Sequence, residues 1–103
     1  MQEIVLSCAD WTTPEDFYQC LLPLLGAPDW HGHNLDALWD SITCGGINRV
    51  NPPFKILVTE VDELTPLCKG LLDRFVALIA EAEAEGIPVE ISFDFANDAI
   101  HEK

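Results

Sequence analysis

Basic residues are scarce in this chain. Five lysines and arginines stand against 18 aspartates and glutamates in 103 residues, a formal net charge of −13. A surface that acidic repels a polyanion and has no counterion release to offer, which excludes nucleic acid as a partner and favours a basic protein. The same acidity would also keep a cytosolic protein soluble, so charge alone leaves both explanations open. The four cysteines, Cys8, Cys20, Cys44 and Cys68, form no C-x-x-C pair, which removes the commonest metal and redox patterns and predicts reduced, partly buried thiols. There is no glycine-rich phosphate loop, no internal repeat, no low-complexity tract and no nucleophile elbow around a serine or cysteine. No apolar run approaches the roughly 18 residues of a membrane span, and Glu3 with the short run Ile4-Val5-Leu6 does not make a signal peptide. The expectation is a soluble cytoplasmic protein with no membrane partner and no cofactor.

What is present fits one domain. Hydrophobic residues make up 49% of the chain, enough for one core and too little length for two. Glu3 to Cys8 reads as a strand. Thr13-Pro14-Glu15-Asp16 starts a helix, with a capping hydroxyl, proline at the first position and acids at the positive end of the dipole. Phe17, Cys20, Leu21 and Leu24 follow at helical spacing, and Gly26-Ala27-Pro28 stops it. Asn34 caps a second helix to about Thr43, with Leu35, Leu38 and Ile42 as its buried stripe. Cys44 to Pro53 is loop by its glycines, asparagines and prolines.

Phe54 to Val58 is nearly all apolar, as a central strand buried on both sides would be. A long helical pattern runs from Leu67 to Glu85, with Leu71, Leu72, Phe75, Ile79 and Ala82 inward and Gly86 as its left-handed stop. Ile87, Val89, Ile91, Phe93 and Phe95 then alternate with polar residues, which gives a strand with one buried face. Strands separated by helical crossovers pair parallel. The predicted architecture is α/β, a small three-stranded parallel sheet with three or more helices packed on one face. The domain spans 1–95, and 96–103 is a polar tail.

The densest cluster of unusual residues is Pro28-Asp29-Trp30-His31-Gly32-His33-Asn34-Leu35-Asp36-Ala37-Leu38-Trp39-Asp40. On a helix Asp36 and Asp40 share a face and repel each other by roughly 0.2 to 0.5 kcal/mol, a choice that folding alone does not favour. Glu81-Ala82-Glu83-Ala84-Glu85 repeats the anomaly, since acids at a helix C-terminus oppose the dipole. A solvated face is the ordinary explanation for Glu83. Glu81 would join Asp36 and Asp40 as a third carboxylate if the two helices lay side by side. His31-x-His33 with Asp36 and Asp40 offers imidazole and carboxylate groups a metal could use, but two histidines without a third are a weak pattern. Two acids on one turn leave no cleft between them for acid–base hydrolysis.

These residues resemble the barstar family of protein ribonuclease inhibitors. The Asn34-Leu35-Asp36-Ala37-Leu38-Trp39-Asp40 block, the glycine loop before it and Glu81-Ala82-Glu83-Ala84-Glu85-Gly86 carry the resemblance, which covers 1 to about 95. It implies an inhibitor, not an enzyme: an immunity protein or antitoxin that plugs the basic active site of a ribonuclease in a one-to-one complex and is monomeric when free. By position it implies contacts from Trp30, His31, Gly32, Asn34, Leu35, Asp36, Trp39 and Asp40, with Leu78 and Glu81 from the long helix. Trp39 could equally belong to the core. The chain departs from the family where two neighbouring loop tyrosines become Trp30 and His31 and where a cysteine becomes Ser41. A longer 48–53 loop is also extra, so the cognate enzyme need not be barnase. A non-inhibitory binding module on the same fold, or a metal-dependent enzyme using His31, His33, Asp36 and Asp40, are the other classes open to the sequence.

Overall fold

The computed structural model describes residues 1–94. Phe95 and the polar tail expected over 96–103 lie outside the described residues. The elements run β1 (Gln2–Ser7), α1 (Pro14–Leu25), α2 (Leu35–Cys44), β2 (Phe54–Thr59), α3 (Pro66–Ala84) and β3 (Val89–Phe93). The sheet order is β1-β2-β3 and both pairs are parallel. Ile4, Ile56 and Ile91 lie in register across it. Right-handed crossovers that always step the same way across a sheet put their helices on the same face, and here α1 and α3 pack on the sheet while α2 packs on α3. No helix among the described residues is long and apolar enough to cross a membrane.

That layering corrects the reading of β2 as buried on both sides. Phe54, Ile56 and Val58 are buried under the helices, whereas Lys55, Leu57 and Thr59 are half-buried on the other face. On β1, Ile4 and Leu6 point in and Val5, on the open face, is 50% exposed. On β3, an edge strand with one neighbour, Val89 is buried while Ile91 and Phe93 are half-buried.

The starts of α1 and α2 are those the sequence predicts, while α3 begins one residue earlier than expected, at Pro66, capped by Thr65, whose hydroxyl accepts from the Cys68 amide at 3.2 Å. The Asp16 carboxylate accepts from the Thr12 and Thr13 amides at 2.7 and 3.0 Å, and these hydrogen bonds hold its pKa below the ordinary value. Gly26 closes α1 in the left-handed region at φ 69°. A Cβ at Gly26 would also strike the Arg49 side chain at 2.7 Å, because the 45–53 loop docks there, with Arg49 and Val50 amides donating to the Gly26 and Leu25 carbonyls. The buried stripe of α1 is Phe17, Tyr18, Leu21, Leu22 and Leu25. Leu24, expected inward, is 41% exposed, and Cys20 is half-buried at the margin, where its sulfur accepts from the Trp11 indole at 3.2 Å. The i, i+3 choice placed the stripe on the wrong side of Leu21, since two adjacent residues per turn, not one, meet the core. On α2, Leu38 and Ile42 are buried as expected, Leu35 only half so, and Ser41 completes the inner face.

Phe17 organises the interior, meeting Trp11, Tyr18 and Phe75 edge-on with centroids 5.7, 4.9 and 5.1 Å away. Cys8 lies beside this cluster, and its amide extends the β1–β2 ladder to Thr59. Burial, reinforced by repulsion from the Cys20 and Cys68 sulfurs, pushes the Cys8 thiol up from 9.0 to about 12. The folded state therefore holds this proton while the unfolded chain loses it. The associated stability is intact below pH 9 and is lost as pH rises from there towards 12. Urea titrations across that range should show stability falling with pH, and Cys8→Ala should flatten the slope.

Candidate functional site

The site begins where α1 ends. After Gly26 the chain turns, with the His31 amide donating to the Pro28 carbonyl at 3.0 Å. The two histidines of the loop then point in different directions. His31 is 5% exposed, with Nδ1 2.7 Å from the Gly32 carbonyl and Nε2 2.9 Å from Ser41 Oγ. A carbonyl only accepts, so in the neutral ring Nδ1 carries the proton and Nε2 is an acceptor, sharing the single Ser41 hydroxyl proton with the Leu38 carbonyl 3.2 Å away. Ser41 Oγ in turn accepts from Asn48 Nδ2 at 3.1 Å. One interior network thus ties the loop, α2 and the 45–53 segment together.

His33 makes the second tie. Its Nδ1 is 2.6 Å from Glu15 Oε2, and its ring stacks on Tyr18 with centroids 5.7 Å apart, which fastens the loop to α1. Between the two histidines, Gly32 lets the backbone close on α2, because a Cβ there would sit 3.0 Å from the Asn34 amide nitrogen and 3.2 Å from the Ala37 methyl. Asn34 caps α2, its Oδ1 accepting from the Ala37 amide at 2.7 Å. With both ends of the loop anchored inward, Trp30 is left outward and is 75% exposed.

The outer side of α2 carries Asp36 and Asp40, both exposed, and its flank meets α3 in a groove of about 480 Å³. Leu35, Asp36 and Trp39 line one wall, and Arg74, Ala77, Leu78 and Glu81 line the other. The structure therefore brings Asp36 and Glu81 to one groove, as the side-by-side packing of the helices requires. Asp40 is not part of the lining. It lies one turn further along α2, about 5.4 Å up the axis. Leu78 is buried at the base of the groove, and Trp39 serves both readings, packing against the core while lining the groove.

The sequence offered His31 as a surface contact, and its ring is instead a strut inside the loop. It also offered His31 and His33 with Asp36 and Asp40 as metal ligands. Their ring nitrogens face Ser41 and Glu15, and among the described residues no group of three or more His, Cys, Asp or Glu side chains is placed to hold a metal ion. Cys44 is exposed, and Gly45 and Gly46 follow at φ 75° and 78° as a helix stop. Arg74 and Ala77 escaped the sequence reading, although Arg74 lies four residues before Leu78 and seven before Glu81, a spacing that shares their face. Ser41, Asn48, Glu15 and Tyr18 also support the site and carry no pattern that would have marked them.

Two known relationships bear on the chain as a whole. The family model described as Barstar (barnase inhibitor) matches residues 1–95. A Bacillus subtilis (strain 168) protein described as "Putative ribonuclease inhibitor YrdF" is 28% identical over 85 residues, covering 82% of this chain and 89% of that protein.

The interior network predicts a stability effect at a residue that touches no partner. Ser41→Ala removes the hydroxyl that serves both His31 Nε2 and Asn48 Nδ2, and should cost roughly 1 to 3 kcal/mol in urea denaturation. Unchanged stability would mean that the loop is held by packing alone.

Proposed function

This chain belongs to the barstar (barnase inhibitor) family, and we propose that it is a protein inhibitor of a basic ribonuclease, an immunity protein or antitoxin acting in the cytoplasm. The free chain is a monomer. It binds one enzyme, covers the RNA-binding cleft with the 30–34 loop and α2, and turns over no substrate. The observation that carries the reading is the convergence of Asp36 and Glu81, from two different helices, on one groove beside an exposed tryptophan, in a chain of net charge −13.

The physical logic runs from the enzyme's own needs. A ribonuclease must present cations where RNA phosphates bind, so carboxylates set into those subsites satisfy the same charges while sealing the cleft. Asp36, Asp40 and Glu81 supply the charge. Trp30, Leu35, Trp39 and Leu78 supply apolar area that excludes water around them, and Gly32 and Asn34 allow close backbone approach. His31, turned inward, contributes by fixing the loop that presents Trp30. A site held by interior hydrogen bonds has little left to order on binding.

Co-expression with a ribonuclease toxin, barnase included, tests the reading directly. The chain should neutralise such an enzyme, and failure to neutralise any, together with intrinsic turnover by the purified protein, would overturn it. Asp36→Ala, Asp40→Ala and Glu81→Ala should each leave the melting temperature unchanged or slightly raised while inhibition weakens, most for Asp40 and less for Glu81. An Asp40→Ala protein that melts early yet inhibits normally would make that carboxylate structural.

Charge should also show in the rates. Attraction between an acidic surface and a basic cleft is screened beyond a Debye length of about 8 Å at physiological ionic strength. Stopped-flow mixing should show association slowing markedly as salt rises and dissociation changing less. An association rate indifferent to salt would assign the acidity to solubility.

A further inference from the structure

One cation shares the groove with two of these acids. Arg74 is exposed on α3, acts electrostatically on the Tyr18 phenol, and lines the same groove as Asp36 and Glu81, yet among the described residues neither carboxylate comes within ion-pair distance of it. The other described cations are placed differently. Arg49 lies against the turn at Gly26, Lys69 reaches Asp73 at 3.8 Å one helical turn away, and Lys55 stands in register between Glu3 and Glu90 on the open sheet face.

We propose that Arg74 is a specificity-determining residue that receives a carboxylate of the partner enzyme in the α2–α3 groove. The inference rests on the ribonuclease-inhibitor reading and adds the chemistry the partner must carry. Docking strips water from a groove whose remaining lining, Leu35, Trp39, Ala77 and Leu78, is apolar. A guanidinium left there without an acceptor is costly. Were Asp36 and Glu81 to close on Arg74, their charge would be lost to the enzyme's cations. If they are kept for those cations, the acceptor must come from the partner. A carboxylate matches best, since the planar guanidinium offers two parallel donors to its two oxygens. The groove then carries one base and two acids, and its complement is an enzyme surface that sets an acidic side chain among its cations. A basic enzyme lacking that acid meets Arg74 as a like charge and is rejected.

This makes a prediction opposite in sign to simple charge attraction. Removing a positive charge from an acidic inhibitor should tighten its hold on a basic enzyme if Arg74 only screens its neighbours. The probe is the ribonuclease neutralised in co-expression, titrated with the wild-type chain and with Arg74→Ala, Arg74→Lys and Arg74→Glu. Binding should weaken about tenfold to a hundredfold in Arg74→Ala. It should weaken further in Arg74→Glu, although that chain is more acidic, and less in Arg74→Lys, with melting temperatures unchanged. Neutralising the facing enzyme carboxylate as the amide should cost the wild-type chain a similar factor and the Arg74→Ala chain none. Equal or tighter binding by Arg74→Ala or Arg74→Glu, or the absence of any enzyme carboxylate that couples to Arg74, overturns the proposal and leaves the inhibitor reading standing. A wild-type chain that inhibits no ribonuclease overturns both.

Discussion

Burial of α3 along one continuous stripe governs the rest of the molecule. Cys68, Leu71, Leu72, Phe75, Ile79 and Ala82 all face inward, so the helix cannot rotate without exposing several large side chains at about 25 cal/mol per Å². It packs on β3, on α1 through Phe75 and Phe17, and on α2, and α2 has α3 rather than the sheet as its neighbour. With α3 fixed, Leu38 and Ile42 have one direction in which to bury themselves. Asp36 and Asp40, on other faces of the same short helix, are thereby turned outward, and Glu81 is set across the groove from Asp36.

The loop before α2 achieves by polar means what α3 achieves by apolar ones. It is short, rich in special residues and without regular structure, yet a hydrogen-bonded histidine holds it to Ser41 and a second holds it to Glu15 and Tyr18. Neither bond is worth much alone, on the order of 1 kcal/mol net. Their value is geometric, because two anchors on opposite sides of Gly32 leave the intervening backbone little freedom. An exposed tryptophan on a slack loop would pay ordering entropy at each encounter; held this way it does not.

Folding concedes something at the same place. Asp36 and Asp40 repel each other, offset in part because Asp36 sits in the first turn of α2 at the positive end of its dipole, and α3 ends in glutamates with no basic residue in its last turn, against its own dipole. Each of these costs a few tenths of a kcal/mol to about 1 kcal/mol, small beside the apolar stripe. Local preference and global fold agree in the Thr13-Pro14 and Asn34 helix starts, the Gly26 stop and the alternation in β1. They part again at Asp10 and Glu60, non-glycine residues at φ 67° and 61°, and at Pro23 inside α1. A concentration of opposed charges on one surface is what a binding site produces when its charges are chosen for a partner.

The elements and their order are legible in local patterns. Periodicity, caps and glycine stops depend on neighbours within a few residues, and six elements, parallel pairing and one covered face follow from them. The sequence also contained the acidic anomalies, because i, i+4 repulsion and dipole opposition are local. The rest depends on contacts between residues far apart in the chain. Periodicity gives a helix face but not its absolute rotation, so Leu24 was misjudged and Leu25 overlooked. A histidine beside an exposed loop residue looks the same in sequence whether its ring meets solvent or Ser41, ten residues on. Whether Glu81 and Arg74 share a groove with Asp36 depends on how α2 lies on α3. That packing is set by the whole core at once, and no local pattern encodes it.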